Sequence, residues 1–319
     1  MPAIRVEGLG KSFGRVMALD GLTFQVEEGS VFGFLGPNGA GKTTTLRILT
    51  GLARATSGRA WIAGQEAVEP TGKPRSPALS REIGYLPEEP AFYPWMTSAE
   101  YLDYVGRIFG QAGAPLRERI VELLKLVDLF EVKSRRIGGF SRGMRQRLGL
   151  AQALMNRPRV LFLDEPVSAL DPAGRKDVLE LIEGLRGQCT VLMSSHILAD
   201  VERVCDTVGI LARGRLVVEG KKDELLARYA TPAFAVESDP STESLLSGWV
   251  DGLRALPWVA SVAVEAAVAR VVASDTEVAR RELLPSALRA GLVVARFETQ
   301  RPALEDVFLR VVAGQGGQQ

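Results

Sequence analysis

Eight consecutive residues near the start of the chain have the types and the spacing of a phosphate-binding loop. They follow the pattern GxxxxGK[ST] and are Gly36, Pro37, Asn38, Gly39, Ala40, Gly41, Lys42 and Thr43. Glycines allow such a loop to wrap its backbone N–H groups around phosphate oxygens without a clash at Cβ. We therefore predict an ATP site in which Lys42 contacts the β- and γ-phosphates, Thr43 ligates Mg²⁺, and Thr44 also contacts the nucleotide.

A pair of adjacent carboxylates could supply the metal binding and the water activation that ATP hydrolysis requires. The apolar run 160–163 is followed directly by Asp164 and Glu165. Two adjacent acids at the end of a buried strand are costly to desolvate, so they favour a functional explanation over a role as caps of the next element. We expect Asp164 to hold the hydration shell of Mg²⁺ and Glu165 to polarise the water that attacks the γ-phosphate.

The chain has one histidine, His196, which follows another apolar run at 190–193. Residues at the ends of core strands form the ligand site in many open α/β sheets. We therefore predict that His196 senses the γ-phosphate and takes part in catalysis. The alternative is a structural histidine whose hydrogen bonds are satisfied within a loop.

Strand-like and helix-like segments alternate over residues 1–230, which is typical of a layered α/β domain. Short strand patterns occupy the beginning, at 4–7, 22–26 and 31–35. A helix predicted at 43–52 follows the glycine-rich loop, so phosphates bound there would lie at a helix N-terminus. This strand–loop–helix context makes a chance glycine-rich turn a poor alternative.

A helical insert is predicted at about 90–140. Thr97 and Glu100 have the spacing of a capping box at the start of its first helix. Further along the insert, apolar residues recur at the intervals of an amphipathic helix. They are Ile120, Leu123, Leu124 and Val127.

Residues 231–319 are predicted to form a separate accessory domain. The segment 230–232 has the composition of a linker, and the glycine- and glutamine-rich end 314–319 that of a frayed tail. Between them we predict strands at 233–237, 259–264, 268–273 and 291–297, and helices at 242–256, 277–290 and 304–312. The β-α-β-β-α-β order predicts a small ferredoxin-like α+β fold. Trp249 and Trp258 are expected to pack its core.

The composition narrows the function classes. The net charge is +1, which gives no basic field of the kind that a dedicated nucleic-acid binder uses. Two cysteines, Cys189 and Cys205, lie in no zinc-like pattern and indicate a reducing compartment. The first ten residues have no pattern of an export signal, and no apolar run approaches the roughly 18 residues of a membrane span.

Taken together, the motifs resemble the ATP-binding subunit of ABC transporters over about residues 3–230. Phe140, Ser141, Arg142, Gly143 and Met144 stand at the place of the family signature LSGGQ. Residues 168–171 resemble the D-loop, and Phe13 stands where an aromatic ring stacks on adenine, with a plain core aromatic as the alternative. The resemblance implies a P-loop NTPase domain of ABC type, with an antiparallel β part at the N-terminus and the helical insert.

The family works as a dimer in which two ATP-binding domains enclose two ATP molecules. The resemblance therefore implies that Ser141, Arg142 and Gly143 contact the nucleotide bound to the other subunit. Glu88 stands in place of the usual Q-loop glutamine, where it would contribute to the nucleotide and metal site. This acid adds a negative charge near Mg²⁺, and Arg142 and Met144 also depart from the family pattern.

The segment 140–154 and the stretch 302–308 are most similar to a group of exporters of drugs, antibiotics or other solutes. In this group the ATPase pairs with separate integral membrane permease subunits at the cytoplasmic face of the membrane. A soluble ABC-type ATPase acting on ribosomes or DNA is the alternative, although one cassette and the absence of a heptad array disfavour it. Homodimer or heterodimer formation stays open, and the accessory domain could regulate, sense a ligand or support dimerisation.

Overall fold

The computed structural model describes residues 2–68, 76–168, 170–229, 233–300, 304–305 and 307–308. The chain divides into two compact units, Met1–Lys222 and Asp223–Gln319. The predicted linker at 230–232 and the glycine- and glutamine-rich end at 314–319 lie outside the described residues. Most of the helix predicted at 304–312, much of the exporter-like stretch 302–308 and Ala169 of the D-loop segment lie outside them too.

The first unit alternates strands and helices, as the sequence predicts. In chain order its elements are β1 (Pro2–Phe13), β2 (Val16–Glu27), β3 (Val31–Leu35), α1 (Lys42–Leu49), β4 (Ser57–Ile62), β5 (Gln65–Val68), α2 (Pro77–Arg81), β6 (Ile83–Leu86), α3 (Ser98–Ile108), α4 (Gly113–Leu126), α5 (Arg142–Leu154), β7 (Val160–Asp164), α6 (Pro172–Gly184), β8 (Thr190–Ser195), α7 (Leu198–Val204), β9 (Thr207–Ala212) and β10 (Arg215–Lys221). Two short 3-10 helices, Phe130–Val132 and Ile137–Gly139, complete the helical insert. The three strands predicted at 4–7, 22–26 and 31–35 are confirmed within β1, β2 and β3.

Two sheets form the framework of this unit. The N-terminal sheet is antiparallel and has the order β2-β1-β4-β5. The larger sheet has the order β10-β9-β3-β8-β7-β6, and it is parallel from β9 to β6. Because parallel neighbours end at the same edge, the segments that follow β3, β6, β7 and β8 meet there. These are the glycine-rich loop, the Glu88 segment, Glu165 and His196.

A hydrophobic core joins the two sheets. Three buried aromatic residues lie at its centre, Phe24 on β2 and Phe32 and Phe34 on β3. The ring centroids of Phe24 and Phe34 are 4.8 Å apart and those of Phe32 and Phe34 are 5.3 Å apart, both edge to face. Such packing adds favourable ring contacts to the burial of large apolar surfaces. It fixes β3, and hence the loop that follows it, against the N-terminal sheet.

Helix ends depart from the predicted ones for local reasons. Helix α1 ends at Leu49 rather than at residue 52, because Gly51 adopts a positive φ of 80° and Leu52 is exposed. The resemblance to the family implies a helix at 145–154, and α5 begins three residues earlier, at Arg142. The Ser141 hydroxyl accepts a hydrogen bond from the Met144 N–H at 3.2 Å and caps the helix there.

The predicted capping box at the start of the helical insert is confirmed. Thr97 Oγ1 accepts from the Glu100 N–H at 3.2 Å, and a Glu100 carboxylate oxygen accepts from the Thr97 N–H at 2.8 Å. The apolar residues predicted to share one helical face in the insert, Ile120, Leu123, Leu124 and Val127, are all buried. The insert therefore packs as an amphipathic pattern requires.

The second unit has the strand order of a ferredoxin-like sheet, β12-β13-β11-β14, with antiparallel neighbours. Its elements are α8 (Lys222–Tyr229), which begins in the first unit, β11 (Ala233–Ser238), the 3-10 helix Pro240–Leu245, α9 (Leu246–Arg254), β12 (Val259–Glu265), β13 (Val268–Ala273), α10 (Thr276–Arg289) and β14 (Val294–Gln300). The helix predicted at 242–256 is thus a 3-10 turn followed by a shorter α-helix. The last strand starts later than predicted, since Gly291 ends α10 with a φ of 81°.

Both tryptophans of this unit pack its core, as predicted. Trp249 is buried and its indole N–H donates to Ser286 Oγ at 3.1 Å. Trp258 is partly buried against the same apolar cluster. The hydrogen bond satisfies the one polar atom of Trp249, so its burial costs little.

The capping box supplies a first test. We expect Thr97→Ala to weaken α3 by about 1 kcal/mol, because the Glu100 N–H loses the hydroxyl that accepts its hydrogen bond. Hydrogen exchange measured by mass spectrometry should then show about fivefold faster exchange in the first turn of α3. Thr97→Ser keeps the hydroxyl and is the control. Equal exchange in the alanine variant and the wild type would contradict the role of the cap.

Candidate nucleotide-binding site

A cavity of about 330 Å³ opens where the parallel strands end. Most residues predicted to bind the cofactor or to act in catalysis lie on its wall. The lining residues are Ala18, Asn38, Gly39, Ala40, Gly41, Lys42, Thr43, Thr44, Glu88, Glu165 and His196. The cavity brings together residues as far apart in the chain as Ala18 and His196, which are 178 positions apart, because the two sheets align the segments that carry them.

The glycine-rich loop is pressed against the N-terminal sheet. Gly41 has a φ of 107°, and a Cβ atom there would lie 2.6 Å from Leu19 Cδ2 and 2.9 Å from the Ala18 carbonyl oxygen. The turn after β9 supports the loop from another side, since the Gly214 N–H donates to the Ala40 carbonyl at 3.1 Å. A side chain at position 41 would therefore displace the loop.

The loop ends at the N-terminus of α1, and this helix has no acidic residue in its first turn. The unpaired N–H groups and the helix dipole therefore present positive potential to the cavity. Such an end is suited to phosphate oxygens.

Lys42 is buried, and its ammonium group contacts both the loop and a carboxylate. Nζ donates to the Gly36 carbonyl at 2.7 Å and lies 3.3 Å from Glu165 Oε1. The side chains of Lys42 and Glu165 are only 6% and 8% exposed. A buried charge needs a partner of opposite sign, so each of these residues supports the other.

Asp164 lies at the end of β7 and accepts two hydroxyl hydrogen bonds at one oxygen. Thr43 Oγ1 donates to Asp164 Oδ1 at 3.0 Å, and Ser194 Oγ donates to the same atom at 2.7 Å. Burial raises the pKa of this carboxyl group, the two hydroxyls oppose that rise, and the charge of Glu165 adds to it. A hydroxyl and a carboxylate at this distance form a suitable oxygen pair for a divalent cation that also binds phosphate.

Glu165 is held in an uncommon backbone conformation. Its φ is 47°, in the left-handed region that a side chain of this size rarely adopts. Its N–H donates to Ser194 Oγ at 3.0 Å, so the same hydroxyl binds both adjacent acids. The conformation and this hydrogen bond turn the Glu165 carboxylate into the cavity, away from Asp164.

His196 reaches Glu165 from the neighbouring strand. The ring Nδ1 lies 2.9 Å from Glu165 Oε2, and the backbone N–H of His196 donates weakly to the same oxygen at 3.4 Å. The two Glu165 oxygens therefore have different partners, Lys42 and His196. A ring with the proton on Nδ1 donates to the carboxylate and leaves Nε2 as an acceptor.

Phe13 and the signature residues 141–143 do not line this cavity. Phe13 is 55% exposed at the end of β1, where Lys11 Nζ lies 4.7 Å from its ring centroid, so it is not a core aromatic. Ser141, Arg142 and Gly143 lie at the start of α5 and are absent from the described wall of the cavity. Arg142 forms an exposed ion pair with Glu89 at 3.6 Å.

Two residues of the site escaped the sequence analysis. Ser194 ties Asp164 to Glu165, and Ala18 forms part of the wall. A small polar residue at the end of a core strand is a weak signal for Ser194. No sequence pattern indicates Ala18, because its place on the cavity wall depends on the packing of the two sheets.

Comparison with known proteins agrees with this geometry. A family model described as ABC transporter matches residues 19–168, and one described as ATP-binding protein DrrA1-3-like, C-terminal domain, matches residues 220–312. The ABC transporter ATP-binding protein YxlF of Bacillus subtilis is 42% identical, with 97% of this chain and 99% of that protein covered. This chain belongs to the ABC transporter family.

Further relatives align with nearly the whole of this ABC protein. The daunorubicin resistance ATP-binding protein DrrA2 of Streptomyces coeruleorubidus is 35% identical over 97% of this chain and 94% of its own. The linearmycin resistance ATP-binding protein LnrL of Bacillus subtilis is 31% identical, with 97% of each chain covered. Both alignments include the accessory domain.

Solved structures resemble the ATPase unit. The structure of an ATP-binding subunit of an ABC transporter has a TM-score of 0.63 and 30% identity, and covers 71% of this chain and 93% of its own. The ATP-binding cassette MJ0796, a dimer in a post-hydrolysis state bound to ADP and Pi, has a TM-score of 0.61 and 25% identity over 68% of this chain and 98% of its own.

The chain is therefore an ATPase with the ABC-type P-loop fold and an accessory domain of the DrrA-like kind. No helix in the described ranges is long and apolar enough to cross a membrane. The same ranges contain no cluster of three or more histidine, cysteine or acidic residues that could hold a metal by themselves. A cation at Asp164 and Thr43 thus needs further oxygens from its ligand or from water.

The raised pKa of Asp164 has a consequence for stability. A carboxyl group whose folded pKa is raised destabilises the fold where it is ionised, and this penalty disappears as the pH falls toward the unfolded value of about 3.9. We expect nucleotide-free Asp164→Asn to unfold at a higher temperature than the wild type at pH 8 in calorimetry. The difference should shrink as the pH is lowered.

The control is Asp251→Asn, which removes an acid that is 72% exposed. This variant should leave the unfolding temperature nearly unchanged at both pH values. An Asp164→Asn variant that is less stable than the wild type at pH 8 would show that the carboxylate charge is not the dominant cost.

Proposed function

We propose that this chain is the energising subunit of an exporter, and that it works with separate permease subunits at the cytoplasmic face of the membrane. The main support is that two drug-resistance ATP-binding proteins, DrrA2 and LnrL, align with it over 97% of its length. The likeness includes the accessory domain as well as the ATPase unit. The exported solute is expected to be a drug, an antibiotic or a similar compound.

The cavity fits MgATP. Phosphate oxygens would meet the N-terminus of α1 and the ammonium group of Lys42, while Thr43 and Asp164 would hold Mg²⁺ directly or through water. A bound Mg²⁺ ion neutralises the charge of the β- and γ-phosphates. It would also remove the penalty of the buried Asp164 carboxylate.

Glu165 is suited to act as the base. In the contacts described above, its charge is balanced by Lys42 at 3.3 Å. Phosphate groups compete for Lys42, and a Glu165 oxygen released by this competition can accept a hydrogen bond from the attacking water. His196 holds the other carboxylate oxygen at 2.9 Å and orients it. The acid thus changes partners when the substrate arrives.

Dimerisation would complete each site. Ser141 and Gly143 lie at the start of α5 and outside the cavity of their own chain, where a second subunit can use them. The Ser141 hydroxyl accepts its capping bond with a lone pair, so its proton can be donated to a phosphate. Arg142 adds a positive charge, and the dimeric state of MJ0796 shows that a related cassette pairs. Both homodimers and heterodimers fit this arrangement.

Two further residues extend the proposed nucleotide site. Glu88 lines the cavity after β6 and would contact the water shell of Mg²⁺. Its charge favours a hydrated cation over a direct contact with phosphate. Phe13 presents an exposed ring at the end of β1 that is available for stacking on adenine.

The central test replaces the base. We expect Glu165→Gln to bind MgATP but to reduce turnover by a factor of at least about 100, because the amide cannot accept the proton. ATP should then trap a dimer that size-exclusion chromatography detects. Arg254→Gln, in an exposed pair of the second unit, is the control. Wild-type turnover in Glu165→Gln would refute the assignment of the base.

An exposed aromatic cluster on the helical insert is the proposed contact with the permease. Trp95 is 66% exposed, and Tyr93 and Tyr104 are nearly half exposed. The rings are close together, with Tyr93 at 5.2 Å from Trp95 and 5.9 Å from Tyr104. A neighbouring groove of about 660 Å³ includes Trp95 and Tyr104 in its lining. Clustered aromatic side chains are typical anchors of protein interfaces.

The cluster can be tested by copurification with the integral membrane permease subunit that we propose as the partner. We expect Trp95→Ala to weaken copurification with it by about tenfold, while the ATPase activity of the isolated subunit stays unchanged. Leu288→Ala removes an apolar residue of the second unit that is 58% exposed, against 66% for Trp95, and serves as the control. Unchanged copurification of the Trp95→Ala complex would place the contact elsewhere.

A further inference from the structure

An ion pair between a buried aspartate and a partly exposed arginine joins the two helices that follow Glu165 and His196. Arg175 Nε donates to Asp200 Oδ1 at 2.6 Å. The Asp200 side chain is 2% exposed and the Arg175 side chain 32%. Arg175 lies on α6, and Asp200 lies on α7. The pair therefore fixes the first turns of these helices to each other.

Each partner is close in the chain to a segment with a proposed role. The Arg175 N–H donates to the carbonyl of Asp171 at 2.9 Å, and Asp171 is the residue that caps α6 and ends the D-loop segment. Asp200 stands in the first turn of the helix that begins two residues after His196. The pair thus links the D-loop segment to the histidine through one short side-chain contact.

The carboxyl group of Asp200 interacts electrostatically with Glu165 and His196. Burial raises the pKa of Asp200, Arg175 opposes that rise, and the charges of Glu165 and His196 act on the same carboxyl group in opposite directions. By reciprocity, a change in the Asp200 charge alters the field at the Glu165–His196 pair. A hydrophobic contact between α6 and α7 would have no such effect.

One carboxylate oxygen of Asp200 is buried without a hydrogen bond among the described residues. Oδ2 is buried and has no hydrogen-bond partner in the described part of the chain. A buried unpaired carboxylate oxygen costs stability, and apolar residues in place of both partners often fit such a position at least as well. The pair therefore carries a cost in stability, which a role in positioning the neighbouring segments would explain.

We propose that Asp200, held by Arg175, is a positioning residue that sets the orientation of His196 toward Glu165 and ties it to the D-loop segment. The inference rests on the proposed roles of Glu165 and His196. Because the pair acts through the histidine and not on ATP itself, it controls the hydrolytic step and leaves nucleotide affinity nearly unchanged.

The chain offers a matched control between the same two helices. Arg203 of α7 and Glu180 of α6 form a second ion pair at 3.0 Å. Both side chains are exposed, at 37% and 51%. Exposed pairs of this kind contribute little to stability, and this pair lies farther along both helices from the catalytic segments. Glu180→Gln thus removes an α6–α7 ion pair without changing Arg175 or Asp200.

His196 is also a convenient reporter, because it is the only histidine in the sequence. Histidine labelled with ¹⁵N in the untagged full chain gives one set of ring signals, whose shifts distinguish the two tautomers. We expect the wild type to carry the proton on Nδ1, and Asp200→Asn to shift or broaden these signals. Glu180→Gln should reproduce the wild-type spectrum.

Steady-state kinetics supplies the second readout. We expect Asp200→Asn to lower kcat by about tenfold while KM changes by less than about twofold, because a displaced catalytic group slows the reaction without weakening binding. Glu180→Gln should keep the wild-type kcat. A histidine spectrum and a kcat of Asp200→Asn that both match Glu180→Gln would overturn the proposal.

A double variant separates positioning from folding. Arg175→Leu with Asp200→Leu removes both charges together, so it should unfold at a temperature near that of the wild type. It should nevertheless retain the low kcat and the altered histidine signals. Recovery of wild-type kcat in this double variant would show that the pair has only a structural role. Loss of turnover in Glu165→Gln, beside normal turnover in Asp200→Asn, would overturn this inference alone.

Discussion

The hydroxyl group of Ser194 is the point on which the catalytic geometry depends. It donates to Asp164 and accepts from the backbone N–H of Glu165, so one atom binds two adjacent acids at 2.7 and 3.0 Å. In the proposed mechanism the two carboxylates face different ligands, although they are neighbours in the chain. The hydroxyl fixes where β7 ends and where the left-handed conformation of Glu165 begins, and the side chains diverge from there.

Buried charges shape the rest of the site. Lys42, Asp164 and Glu165 are all at least nine-tenths buried, which is unfavourable unless each has close partners. The partners are supplied by backbone carbonyls, by hydroxyls and by the charges themselves. A substrate with phosphate groups and a divalent cation brings complementary charges to the same place. The cost of the buried charges is thus offset when the ligand binds, and binding gains specificity from it.

The local parts of the site could be predicted from the sequence. Lys42, Thr43, Asp164, Glu165 and His196 stand beside strand patterns, and the parallel sheet brings such strand ends together. Their roles in catalysis stay predictions, as do those of Phe13, Glu88 and the signature residues. The family is confirmed by the comparisons, and the elements that the structure describes in both units follow the predicted order.

What could not be predicted depends on contacts between distant segments. The partners of Ser194 and the pairing of Arg175 with Asp200 require the packing of β7, β8 and two helices, which no motif describes. Helix ends were wrong where a single residue decided them. The start of α5 depends on the cap at Ser141. The single helix predicted after β11 is instead a 3-10 helix, Pro240–Leu245, followed by an α-helix, and the sequence pattern does not distinguish these two helix types.

The contact of Gly41 with β2 extends the influence of the loop beyond the cavity. Leu19 and the Ala18 carbonyl lie so close to Gly41 that the loop cannot move outward while β2 stays in place, and Gly214 closes the third side. A ligand that holds the loop therefore also suppresses the opening of the N-terminal sheet. We therefore expect occupancy of the site to slow the local opening of β2, a strand with no predicted phosphate-binding residue.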